Sequence, residues 1–390
     1  MPDQRPLLNP NADVSAIAGE QRISADSHMA EPPDLWETRL PKGMRDRALT
    51  FPNNRLYETD HHLRAGGWDP TERLKDLAID GVSADVLYPT YGNQAWLLGD
   101  IALEQAHVRV YNDWMIEFCA VSPERLWGLA MMSVWDIDWA VKELERTVNA
   151  GLRGAAIWTA PPSELLLSQA HYEKLWAAAE SLDVPISLHI STGPRLMRAA
   201  RQDPYSAMLP HGVHKFDTMT ALGDIIGSGV LERHPNLKIA VAEAGVAWIP
   251  FFAQEFDYYF FSRSGGGRKT IPRPPSEYIF DRKQVYAAYI SDRVGGFLLE
   301  KYGQDTFMWS TDYPHPACTW PTSGAILAQD LGHLTKEIRQ GVIRDNAARL
   351  YNHGNLPPSA DPPGEHQSLD TWQAGHGGQA NALAGALQGT

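Results

Sequence analysis

A chain of 390 residues with 43% hydrophobic side chains can bury a large core, as one barrel or as two ordinary domains, and no stretch is apolar for long enough to cross a bilayer. Asp and Glu outnumber Lys and Arg by 47 to 34, a formal net charge of −13, with no dense basic run, which argues against nucleic acid or an anionic membrane as partner. Two cysteines, Cys119 and Cys318, support neither a disulfide framework nor a cysteine zinc cluster, and the opening Met1-Pro2-Asp3-Gln4-Arg5 lacks the basic-then-apolar pattern of a secretory signal, so a cytoplasmic protein is expected.

Residues 1–20 mix polar, proline and small side chains without a period and read as a flexible arm. A first strand is expected over Arg22–Ser27, followed by an insertion over 29–70. Asp69-Pro70-Thr71 then caps a helix that Gly81 closes. Strand Ala84–Pro89, helix Ile101–Ser122, strand Leu126–Val134 and helix Ile137–Ala150 follow, the last capped by Asp136 or Asp138 and closed by Gly151. Next come strand Gly154–Thr159, helix His171–Ser181, strand Val184–Ile190 and a second insertion over 192–215. Helix Phe216–Arg233, strands Leu237–Ala242 and Gln284–Ile290, a closing Gly303, strand Thr306–Thr311 and helix Leu334–Tyr351 complete the pattern. Residues 356–390, rich in Pro, Gly, Ala and Gln, read as a disordered tail. Eight near-continuous apolar strands alternating with amphipathic helices predict a parallel sheet, and eight such units over 21–355 predict a single (β/α)8 barrel of the α/β class, with both insertions on the catalytic face. The rival is an open doubly wound sheet, which lacks its Gly-x-Gly-x-x-Gly after an early strand.

Four of these runs end in groups that bind metals. Asp26 and His28 close the first, His189 the fifth, Glu243 the sixth and Asp312 the eighth. In a parallel barrel all of them converge at the C-terminal mouth, and strand alternation lets Asp26 and His28 face it together while Ser27 points away. Two imidazoles and two carboxylates, from Asp26, His28, His189 and Asp312, suit one divalent ion per chain, Zn2+ or Mn2+. Taken singly, each is more often a hydrogen-bonded core histidine or a turn-forming aspartate; the joint placement favours the metal. Glu243 is a candidate acid or base, ligand orienter or ligand, and His315, three residues beyond Asp312, a candidate proton donor. Glu31 is a candidate partner of His28, His211 and His214 reach the site if their insertion folds inward, and His234 belongs to the opposite rim as a structural residue. Tyr88, Trp158 and Trp320 are candidate stacking surfaces for a flat unsaturated ligand, and Arg195 and Arg64 candidate carboxylate clamps.

Ala25-Asp26-Ser27-His28-Met29-Ala30-Glu31-Pro32-Pro33, Gly67-Trp68-Asp69-Pro70, Asn112-Asp113-Trp114, Arg233-His234-Pro235-Asn236-Leu237 and Thr311-Asp312-Tyr313-Pro314-His315 together resemble the amidohydrolase-2 branch of the amidohydrolase superfamily. That branch is similar to aminocarboxymuconate-semialdehyde and γ-resorcylate decarboxylases. The resemblance implies a metal-dependent barrel, with Asp26 and His28, His189 and Asp312 at the ligand positions, acting on a small carboxylated aromatic or dienoic compound, and by analogy a homodimer. One position departs from it: Ala242-Glu243-Ala244-Gly245 stands where decarboxylating relatives carry an Ala-His-Gly-Gly-like motif. The expected activity is non-oxidative decarboxylation, with metal-dependent hydrolysis of a C–C, ester or amide bond as the alternative and a non-catalytic ligand-binding barrel as the third class.

Overall fold

The computed structural model describes residues 14–50, 64–194, 209–262, 270–315 and 317–360, with backbone alone over 209–213. Eight parallel strands appear in the expected order: β1 Arg22–His28, β2 Val82–Tyr88, β3 in two pieces (Leu126–Gly128 and Ala130–Met131), β4 Ala155–Ile157, β5 Ile186–His189, β6 Ile239–Ala242, β7 Val285–Tyr289 and β8 Phe307–Trp309. Each pairs in parallel with its sequence neighbour, and the Leu129 amide, donating to the Leu87 carbonyl at 3.0 Å, bridges the two pieces of β3. The ring closes where β8 returns to β1. There the Asp312 amide donates to the Asp26 carbonyl at 2.9 Å and the Thr311 amide to Ser24 Oγ at 2.9 Å. A first strand joined to the last is a barrel, and the open-sheet alternative falls.

Both faces of each strand are buried, which is why the strands read as continuous apolar runs. Inward-facing Ile23, Ala25, Val86, Trp127, Leu129, Ala240 and Met308 fill the barrel, small beside large. The alternate residues Leu87, Val241 and Trp309 join the layer under the helices. Asp69 caps the helix Pro70–Ile79 by accepting the Thr71 and Glu72 amides. Of the two candidates for the next cap, Asp136 is the one used. It is extended and accepts the Trp139 amide, whereas Asp138 lies inside the first turn and pairs with Lys174 at 2.6 Å.

Two expectations are corrected. The helix over Phe216–Arg233 starts earlier, at Leu209, and breaks at Gly229, leaving Leu209–Gly227 and Val230–Arg233. The last helix is interrupted by a widened turn over Gly341–Asp345, after which the Asn346 amide group donates to the Phe307 and Gln304 carbonyls, 2.8 Å each, and ties the chain to β8. Contacts also reach residues on either side of 21–355. Ile17 is buried, Glu20 pairs with Arg339 at 2.7 Å, and Gln21 reaches the Pro357 carbonyl at 2.8 Å. Among the described residues no helix is long and apolar enough to cross a membrane.

Candidate metal centre

The first strand delivers its ligands through an irregularity. Between Ser24 and Ser27 β1 spends three steps where β2 spends two, a bulge. It turns Ser27 toward the seam, where its hydroxyl meets Ser24 Oγ at 2.9 Å and Thr311 Oγ1 at 2.8 Å. Asp26 and His28 face the other way, as alternation requires. Glu243 and Asp312 end their strands in the left-handed region, at φ 56° and 59°. Such turns cost a non-glycine residue roughly 1–3 kcal/mol and cluster at functional sites.

The imidazoles of His28 and His189 meet Nε2 to Nε2 at 3.0 Å. Each has its other nitrogen on a backbone carbonyl: His28 Nδ1 on Pro89 at 3.1 Å and His189 Nδ1 on Ile190 at 2.9 Å. A carbonyl only accepts, so both Nδ1 atoms carry a proton, and when both rings are neutral, as a bound cation requires, both Nε2 lone pairs point at one spot. Asp26 Oδ1 stands 3.5 Å from His28 Nε2 and 3.6 Å from His189 Nε2, Asp312 Oδ1 3.5 Å from His28 Nε2, and Glu243 Oε2 3.3 Å from His189 Nε2. All four carboxylate oxygens of Asp26 and Asp312 are buried, and the groups that approach them most closely are ring nitrogens, His315 Nδ1 at 3.0 Å from Asp312 Oδ1 among them. Converging lone pairs and buried anionic oxygens are costly as a purely organic cluster and fit a divalent cation, with the backbone carbonyls fixing the ring tautomers. Two overlapping ligand groups form, one of Asp26, His28 and His189 and one of His28, Glu243, Asp312 and His315, and they share His28.

On their own these side chains hold protons where a cation would sit. Burial, and then the Asp312 charge, pushes the Glu243 carboxyl up to about 8. Burial opposes the charged form of His189, but Asp26 and Glu243 outweigh it and raise the imidazole to about 9. Asp312 is raised well above the carboxylate range by burial and by Asp26. Burial lowers His315 to about 4, so this ring is neutral; it stacks on His28 at 3.7 Å and spans Asp312 Oδ1 at 3.0 Å and Thr90 Oγ1 at 3.1 Å.

A cavity of about 280 Å³ opens above the cluster, walled by His28, His189, Glu243, Asp312 and His315 together with Thr90, Asn93, Gln94 and Ser191. Those last four follow β2 and β5 in loops that carry no period; their one sequence signal is their position, just past strand ends. The expected stacking residues do not line it. Tyr88 lies beneath the histidines, its ring 5.2 Å from that of His189, and its hydroxyl turns down the barrel to Ser187 and Tyr351. Trp158 faces the helical layer against Trp135 and donates to Tyr172 Oη at 3.0 Å, and Trp320 is buried on Tyr313 and donates to the Asp76 carbonyl at 2.9 Å. Arg64 is paired with Asp76. The Glu31 carboxylate accepts the Thr90, Tyr91 and Gly92 amides and shapes the loop after β2. His234 bridges Glu173 at 3.0 Å and Glu180 at 3.2 Å, a structural role at the far rim. Arg195, His61 and His62, and the side chain of His211, lie outside the described residues.

Sequence reading missed Arg73. Fully buried, it donates to Asp85 Oδ2 at 2.7 Å and to the carbonyls of His28 at 3.0 Å and Tyr313 at 3.4 Å, clamping together the two backbones that carry His28 and Asp312. Arg73→Leu leaves Asp85 as an uncompensated buried charge and is expected to destabilise the fold by about 3–5 kcal/mol. A urea midpoint within error of the wild type contradicts the clamp.

With this geometry in place, a protein-family model described as Amidohydrolase matches residues 57–353. The chain belongs to the amidohydrolase family. This amidohydrolase is 26% identical over 336 residues to the γ-resorcylate decarboxylase of Rhizobium sp. (strain MTP-10005), covering 80% of its own length and 95% of the relative's. Among solved structures, the amidohydrolase map2389c of Mycobacterium avium subsp. paratuberculosis K-10 superposes with a TM-score of 0.71 at 20% identity, covering 86% of this chain and 100% of that one. The dihydroxybenzoic acid decarboxylase of Polaromonas sp. JS666, with bound manganese and the inhibitor 2-nitroresorcinol, gives 0.61 at 20% identity, covering 86% and 98%. At such identities the structural likeness speaks for the barrel fold of the amidohydrolase.

Proposed function

We propose that this amidohydrolase is a metal-dependent, non-oxidative decarboxylase of a small aromatic or unsaturated carboxylic acid. The observation that carries the reading is the placement of Glu243: a buried carboxyl group on the cavity wall, 3.3 Å from His189, where burial favours its protonated form. The names of the relatives, decarboxylases of resorcylate and dihydroxybenzoic acid, support the same chemistry. Asp26, His28, His189 and Asp312 would hold the ion, manganese or zinc, which supplies positive charge to anchor a substrate carboxylate and a neighbouring oxygen. The protein's own part is protonation and orientation. The C–CO2 bond breaks, its electron pair takes a proton from Glu243, and CO2 and the protonated carbon leave; solvent then reprotonates Glu243. His315, fixed between Asp312 and Thr90 and neutral, lines the same cavity and would orient its neighbours rather than supply the proton.

Hydrolysis is the second reading, because a Glu243 that stays ionised in the presence of the ion guides a water better than it protonates carbon. The two are separated by isotopes. Decarboxylation places deuterium from D2O on the carbon that lost CO2, and Glu243→Gln is expected to be slower by about 10²–10⁴-fold. Oxygen-18 from water in a product carboxylate, with no CO2, overturns it in favour of hydrolysis. We further propose a cytoplasmic homodimer, its subunits meeting through the exposed Phe251, Tyr258, Tyr259 and Phe261 of the helix Trp248–Phe261 and the adjacent Phe297. Sedimentation equilibrium at the mass of one chain rejects that assembly.

A further inference from the structure

Two residues past His189 the chain turns through Ser191, whose φ of 62° puts a serine in the left-handed region. That conformation is costly for any residue with a Cβ and persists where the surroundings fix it. Here they do. Thr192 Oγ1 donates to the His189 carbonyl at 2.7 Å and accepts the Thr159 amide at 3.0 Å, and the Thr192 carbonyl accepts the Ala160 amide at 2.9 Å. Gly193 lies so close to the Ala160 carbonyl that a Cβ would run into it. The turn sets Ser191 Oγ 2.5 Å from Nδ1 of His214, on the helix Leu209–Gly227. Ser191 is exposed on the cavity wall, whereas His214 is 7% exposed.

A hydroxyl has one proton and two lone pairs, and an imidazole behind it uses one of these and steers the rest into the cavity. None of the cavity-lining residues among those described is a lysine or arginine, while Glu243 and Asp312 bring carboxylates to the wall. Among the described residues a second carboxylate on the substrate would find no basic side chain here, whereas a neutral hydroxyl finds a fixed partner. We propose that Ser191, held by His214, is a specificity-determining contact for a ring hydroxyl of the substrate, separate from the carboxylate and adjoining oxygen anchored at the ion. The proposal rests on the decarboxylase reading and narrows its substrate to hydroxylated rings.

The test is calorimetric binding of 2-hydroxybenzoate and its 2,4-, 2,5- and 2,6-dihydroxy forms to the manganese-loaded protein, with CO2 release followed on the same four compounds. The wild type is expected to prefer at least one dihydroxy form. Ser191→Ala and His214→Leu should each cut that preference, taken as a ratio to 2-hydroxybenzoate, by about three- to tenfold, the worth of one neutral hydrogen bond. His214→Asn, whose side-chain amide stands near the place of Nδ1, should restore it. A preference unchanged within twofold in both disrupting variants, or no preference in the wild type, overturns the pair's role. Absence of CO2 from all four compounds with the preference intact and sensitive to Ser191 strikes the decarboxylase reading alone.

Discussion

His189→Ala is expected to abolish turnover and to weaken binding of the divalent ion by more than about 100-fold, since loss of a residue that merely orients a ligand already costs 10–100-fold. His189 brings its Nε2 to 3.0 Å from that of His28, 3.6 Å from Asp26 and 3.3 Å from Glu243. The barrel should remain folded, because the ring's backbone partner is its own neighbour's carbonyl and the strand beneath it is packed on both faces. Calorimetric titration with manganese reads the affinity directly. It should also show proton release by the wild type: His189, held at about 9, must give up its proton to a cation, so affinity rises with pH toward that range. Full activity in a metal-stripped sample sinks the mechanism.

Asp312→Asn is expected to keep part of the metal and lose about 10²–10⁴-fold in turnover, the range for removing a group that handles a proton. Asparagine preserves the size of the side chain, but it removes the charge that faces His28 at 3.5 Å and His315 at 3.0 Å. On the proposed reading Asp312 serves two purposes, ligand and partner of the proton-bearing groups, and the substitution separates them. Metal content measured beside kcat decides the matter. A near-normal rate with metal bound moves the proton-handling role to Glu243.

The fold was legible because parallel strands buried on both sides leave an unbroken apolar run, and Asp26, His28, His189, Glu243 and Asp312 were legible because each closes such a run. The bulge between Ser24 and Ser27 was not: an extra step in one strand changes no residue type. Trp158 and Trp320 were misplaced for a related reason. A strand-end aromatic can turn into the barrel, toward the helices or into the mouth, and with every face apolar the period does not say which. Glu31 and Arg73 act on backbone groups dozens to hundreds of residues away, at Thr90–Gly92 and Tyr313, and such pairings exist only once the ring has closed.

The seam between β1 and β8 has a consequence for how the protein matures. Ser24, Ser27 and Thr311 stitch the two strands with a knot of hydroxyls, and the ion's ligands stand on both sides of it, Asp26 and His28 from the start of the chain and Asp312 from near its end. Strand pairings so distant in sequence are the slow ones to form, so the full ligand set comes into being only when the last strand docks on the first. An ion at 100 times its dissociation constant then stabilises the closed ring by about 2.7 kcal/mol. The cofactor doubles as a clasp, and a chain that stalls before its eighth strand never acquires the chemistry.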